Sequence, residues 1–255
     1  MIALIQKDLQ IYSNSRKFRN LLFIFLSILV LLFFLGTLEF YAQGTDSQRD
    51  GMPIDVDRQT YTLFILCIYF VQLFVTRHAV DAFHLEWSKV SWQNSLQQNS
   101  GNVGLLLITP LSNFKILLGK LAAVMIWSLW VIWFTIPLFV LSVFIGGLDI
   151  TLLLKCGVVI LISSILFTLI GLCFATFQPA AHTKAFSFGF VLALTFLPLL
   201  PIVPFSNLSL LSIMSPLSAL ISLLQTDPSS LWLWNIGLNC VLCMLIFPVV
   251  THRLN

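Results

Sequence analysis

The residues able to do chemistry are few and unevenly spread. Asp81, Glu86 and Lys89 form one polar group, and Thr109, Pro110, Leu111, Ser112, Asn113 and Lys115 form a second, set into an otherwise apolar run. Cys240-Val-Leu-Cys243 has the spacing of a redox or zinc motif, but no second pair, histidine or carboxylate shares its segment. Two soft, small residues packing within a helix are the plainer reading. His78, His84, His182 and His252 are scattered and complete no ligand set. Gly119-Lys120 is followed by Leu-Ala and lacks both the glycine-rich lead and the Ser/Thr of a phosphate-binding loop. An intramembrane enzyme needs paired acids, a histidine or a nucleophile within its apolar runs, and the sequence supplies none.

The elements that must hold these residues follow from composition. Of 255 residues, 58% are hydrophobic and 9% are charged, against roughly a quarter charged in a soluble domain. The chain therefore reads as an all-α protein of the membrane, where backbone groups must be satisfied within each segment. A net charge of +3 without any Lys/Arg-rich run excludes nucleic acid as a partner.

Residues 1–19 read as an amphipathic helix lying in the interface, with Ile2, Ile5, Leu9 and Tyr12 on one side. Six spans follow, at about 20–40, 60–76, 115–144, 150–177, 185–203 and 231–250. The first is expected to stay as an anchor rather than be cleaved, being long and preceded by Lys7, Arg16, Lys17 and Arg19. Pro137 is expected to kink the third span. Between the second and third spans lies the polar region 77–114. Residues 205–226 are apolar but interrupted at Ser215-Pro216. Two halves of about ten residues are each too short to cross, so a re-entrant hairpin between spans five and six is expected, with a seventh span as the alternative.

Orientation follows from basic residues. With the N-terminus inside, 1–20, 77–120, 176–184 and 251–255 hold ten of the thirteen Lys/Arg, while the other side holds seven of the ten acids. Both termini are thus expected in the cytoplasm of a bacterial cell, with the chain multi-pass in its inner membrane. Glu39, Asp149 and Lys155 fall near outer ends; Gln72, Asn235 and Asn239 are the central polar residues, expected to hydrogen-bond between helices. No charge lies deep in a span, which argues against a pump driven by protons or sodium.

On this topology the Thr109–Lys115 stretch faces the cytoplasm. Pro110 breaks the chain, Ser112 can cap a helix beginning at Asn113, and Lys115 and Lys120 mark the membrane boundary by snorkelling. A simple loop with a capped helix start accounts for the same residues.

The pattern LLL-x-TPLS-x-x-x-I-L-x-GK-L, Leu105 to Leu121, resembles the segment after span two in permease subunits of type-2 ABC exporters. The interfacial helix, acidic outer loop, six spans and late SPLSALISLL (Ser215 to Leu224) match in order, so the likeness extends over the single domain 1–255. It implies a permease that pairs with a second copy or a homologous permease, sits among membrane lipid, and carries no cofactor of its own. ATP and magnesium would be held by separate ABC ATPase subunits. The ATPase would be coupled through 77–114, with Asp81, Glu86, Lys89, Thr109, Pro110, Leu111, Ser112, Asn113 and Lys115 as the coupling residues and Glu86 as the foremost contact. Residues 178–184 would be a smaller contact, spans one, two and five would line the dimer interface and the substrate path, and 205–226 would cap it on the outer side. Relatives carry an acidic-Gly-Thr-Leu-Glu block where this chain has Ser95–Gly104, with no acid between Glu86 and Asp149. The contact would then shift to Glu86, or the subunit would dock weakly beside a better-coupled partner. A membrane assembly or anchoring protein without transport is the alternative function. The cargo is unspecified; many aromatics with few charges favour an amphipathic or lipid-linked one.

Overall fold

In a computed structural model, the described backbone comprises residues 6, 19–20, 22–35, 38, 57–87, 113–146, 150–177, 180–196, 209–224 and 230–253; of 57–64, 82–87, 113, 142–146, 180–181 and 209–211 only the backbone is described. Helix is the only regular structure among the described residues. In chain order the helices are α1 (Leu22–Leu35), α2 (Asp57–Leu73), α3 (Val75–Trp87), α4 (Asn113–Gly146), α5 (Ile150–Phe177), α6 (Ala180–Phe196), α7 (Ser209–Met214), α8 (Pro216–Leu224) and α9 (Leu231–Arg253). Three are long and apolar enough to cross a membrane: α4 over Phe114–Leu141, α5 and α9. The described parts of α1, α2 and α6 have 14, 17 and 17 residues, short of the ~20 that a straight crossing takes.

α5 is the hub. It is apolar on every side, and α2, α3, α4, α6, α8 and α9 all pack against it. Cys156, Val159, Leu166, Phe167, Ile170 and Leu172 disappear into a shared core with Ile65, Tyr69 and Leu73 of α2 and Trp127 of α4. α9 has the same apolar composition but remains outside, with Trp234, Val241, Met244 and Leu245 exposed. That contrast is expected when lipid, not water, surrounds the bundle.

α2 and α3 form one rod with a single interruption. At Phe74 the ladder tightens, its N–H donating to Val71 O three residues back (3.1 Å), while His78 N–H resumes the four-residue spacing onto Phe74 O (3.2 Å). The Thr76 hydroxyl donates to Leu73 O (3.1 Å), occupying a carbonyl at the break. Beyond it, Thr76, Ala79 and Val80 are fully buried. They can be, because α5 presents Gly171 there: a Cβ on Gly171 would lie 2.7 Å from the Thr76 carbonyl oxygen and 3.1 Å from Ala79 Cβ. Glycine allows the two backbones to touch.

Several expectations change here. The polar region after the second span does not lie on the surface from its start; α3 continues as helix to Trp87, with Ala79 and Val80 fully buried. The loop foreseen at 178–184 is largely helical, since α6 begins at Ala180, where two alanines favour helix; its described part runs to Phe196, and 197–203 lie outside the described residues. Lys120 does not snorkel. It is 2% exposed, because it shares the inward face of α4 with Leu117, Val124 and Trp127 at helical spacing.

One expectation matches: the apolar segment at 209–224 is two short helices meeting at Ser215. The described part of α4 begins at Asn113. The Ser215 hydroxyl accepts from Ser218 N–H (3.3 Å), the geometry of a helix N-cap with Pro216 in first position. The same hydroxyl donates to Thr195 O (2.7 Å), satisfying one of the orphan carbonyls in the last turn of α6. Within the described part of 1–19 only residues 6 and 19 fall, so the interfacial helix lies outside the described residues, as do 88–112.

Candidate functional site

Side-chain contacts gather several helix ends at one end of the bundle. Asp81 of α3 forms an ion pair with Lys184 in the second turn of α6. Arg253, last residue of α9, stands over the Phe177 ring that ends α5, 4.7 Å from its centroid. Phe114 at the start of α4 meets Phe247 of α9 edge-on at 5.3 Å. The opposite end is marked by Lys155 over the Trp232 ring at 5.6 Å. Basic residues at 77, 115, 184 and 253 thus share one end, the grouping that charge placement in the sequence implied.

Of the residues expected to couple, Asp81 and Lys115 belong to this end. Asp81 is half-exposed and held by Lys184, a pair worth ~0–1 kcal/mol at such exposure. Lys115 is exposed one residue inside α4 from Phe114. Asn113 heads α4, and Glu86 lies in the last turn of α3, its side chain outside the described residues. Lys89, Thr109, Pro110, Leu111 and Ser112 lie outside the described residues altogether. The Ser112 cap is therefore not described.

Deeper in the bundle the rod is fastened by a polar lock. Gln72, 1% exposed, accepts at Oε1 from Ser128 Oγ of α4 (2.7 Å) and donates from Nε2 to the Ser128 carbonyl (3.3 Å). Ser164 Oγ of α5 lies 3.2 Å from the same Oε1 and 2.8 Å from Ile160 O, sharing its proton between them. One amide thereby ties α2, α4 and α5 at about the middle of α5. Ser128 and Ser164 were not singled out from the sequence. Their only signal is a small polar residue at the right height in each span, which buried serines bonding their own helix carbonyl, as Ser163 does to Val159 O, imitate.

The remaining central polar residues divide. Asn235 bridges helices, donating to Ile213 O of α7 (2.6 Å), whereas Asn239 donates within α9 to Asn235 Oδ1 (3.0 Å). Tyr69 OH and Thr195 Oγ1 are 3.3 Å apart, linking α2 to the end of α6. His78 is packed on Trp127, ring centroids 4.3 Å apart. Cys240 is exposed and Cys243 packs partly against the core. Among the described residues no group of three His, Cys, Asp or Glu stands close enough to hold a metal.

The lock has a measurable consequence. Gln72→Ala and Ser128→Ala should couple in a double-mutant cycle by ~0.6–1.7 kcal/mol, the range of interhelical hydrogen bonds in membranes. Coupling between Gln72→Ala and Ser164→Ala should be smaller, because Ser164 retains Ile160 O. Equal couplings, read from thermal midpoints in detergent, would show that the three do not act as drawn.

What the arrangement can do chemically is limited and definite. It is a bundle whose polar end is joined to its centre by a packed rod. No family model, curated protein or solved structure matches the chain.

Proposed function

We propose that the chain is the membrane-spanning subunit of an ATP-driven exporter of the type-2 ABC class. In this reading α1, α2, α4, α5, α6 and α9 are six spans, both termini are cytoplasmic, and the chain sits in a bacterial inner membrane. A second permease copy or a homologue completes the path, and separate ABC ATPase subunits hydrolyse ATP with magnesium. The observation that carries the reading is the α2–α3 rod. It runs from the Gln72 lock to the charged end of the bundle, and the chain after it returns through Thr109–Ser112 into α4. A push applied at 77–114 would be transmitted along packed helix and not absorbed in a slack loop. The resemblance at Leu105–Leu121 and the lack of a phosphate-binding loop in the sequence favour the same reading.

The test is co-expression with an ABC ATPase encoded in the neighbouring reading frame, the tag being on the ATPase. Co-purification is expected, and Glu86→Ala with Lys115→Ala should lower the ATPase activity of the complex several-fold. An ATPase that fails to co-purify removes the main support. Co-purification with activity unchanged in the double variant would instead favour the anchoring role.

A further inference from the structure

The face where α2 and α3 meet α6 is built like a slot for one lipid. The two elements run antiparallel in steady register: Phe70 stacks on Phe196 (5.9 Å), Phe74 meets Phe188 (5.5 Å), Arg77 stands over the Phe188 ring (5.8 Å), and Asp81 pairs with Lys184. The phenylalanines are not sealed inside; Phe70 is 42% exposed, and Phe74 and Phe188 are half-buried. Arg77 is exposed too. An aromatic strip thus ends in cationic residues on a single face.

We propose that this seam binds an anionic phospholipid, its phosphate at Arg77 and Lys184 and an acyl chain along Phe70, Phe74 and Phe188. Depth supports the assignment. Seven residues separate Arg77 from Phe70, a rise of about 10 Å, which fits within one leaflet of a hydrocarbon core ~30 Å thick. Charge supports it as well: among the described residues on the seam, two cations stand against one carboxylate. Stacking on Phe188 keeps the guanidinium in place while its planar edge presents donors suited to a phosphate. A second copy of this chain is a poorer occupant. A two-fold contact sets each patch against itself, which would bring the excess positive charge of one Arg77 and Lys184 against that of the other. The proposal does not depend on an ATPase partner.

The experiment titrates the delipidated full-length chain in detergent with phosphatidylglycerol, phosphatidylcholine and, as a free headgroup, glycerol 3-phosphate. Binding is read as adducts in native mass spectrometry and as a shift in thermal midpoint. Phosphatidylglycerol should bind about fivefold more tightly than phosphatidylcholine, the effect of one juxtamembrane cation. Arg77→Gln should abolish the preference, Arg77→Lys should retain it, Asp81→Asn should increase it, and Arg253→Gln, which lies off the seam, should leave it unchanged. Equal binding of the two lipids overturns the proposal. So does a preference that survives in Arg77→Gln/Lys184→Gln, or protection by glycerol 3-phosphate equal to that by the lipid. Efficient Phe70→Cys cross-linking between two chains in vesicles would assign the face to a second copy instead. If Arg77→Gln fails to fold, the Arg77→Lys and Asp81→Asn arms decide the matter.

Discussion

Gly171→Ala is expected to cost ~1–3 kcal/mol, the usual cost of overpacking, and Gly171→Val more. The obstacle is backbone: the new Cβ would meet the Thr76 carbonyl oxygen at 2.7 Å, and a main-chain carbonyl inside a helix cannot swing away. Relief requires α3 to separate from α5, and that in turn loosens the burial of Ala79 and Val80. The comparison that makes this sharp is internal. Gly157 lies in the same helix and Gly189 and Gly237 in two others, all with nothing within 4 Å of an added Cβ. Alanine at those three positions should be neutral or stabilising by up to ~1 kcal/mol, from helix propensity alone. Thermal midpoints of the four alanine variants in detergent provide the check. A Gly171→Ala midpoint equal to the other three would mean that α3 does not press on α5 as described.

Lys120→Ala is the second large effect expected. Lys120 has a four-carbon stem on the face of α4 that also buries Leu117, Val124 and Trp127, and at 2% exposure its removal leaves a hole comparable to a truncated Leu or Met. Such truncations cost ~2–5 kcal/mol. Lys120→Met, which keeps most of the volume, should be markedly milder. Lys115→Ala, five residues away on the exposed side of the same helix, should fall within ~0.5 kcal/mol of the parent. Two lysines that look alike in the sequence should therefore differ several-fold in cost. Equal loss at both positions would contradict the burial of Lys120.

Those lysines illustrate what could be read in advance. Helix content and the location of the apolar runs were legible, since a low share of charge and long apolar stretches leave little else possible. The break at Ser215-Pro216 was legible as well, because proline and a capping hydroxyl act locally. What could not be read was the facing of each helix. In α5, 67% of the most apolar window is buried, and in α9 only 17%, although both are nearly uniform strings of apolar residues. A helix surrounded by lipid and one surrounded by protein make the same demand on composition, so neither amphipathicity nor charge separates hub from perimeter. The inward turn of Lys120 is the same problem at the scale of one residue.

The candidate site divides along similar lines. Gln72 was recognisable because an amide in the middle of an apolar run must find partners. Ser128 and Ser164 were not, since a serine can satisfy itself on its own helix. The burial of α3 just beyond residue 76 was obscured by Arg77, His78 and Asp81, which look like the start of a polar surface region. Their neighbours Thr76, Ala79 and Val80 are small enough to pack on Gly171 while the charged side chains point elsewhere.

The position of α8 has a consequence for how the chain is made. It has nine residues, seven of them buried, and it is enclosed by α2, α5, α6 and α9. Too short to cross the bilayer alone, it cannot be deposited there as an independent span during synthesis. Its fourth wall, α9, is made after the other three. A released chain truncated just before Leu231 should therefore leave 216–224 reachable by protease, and restoring α9 should close that window.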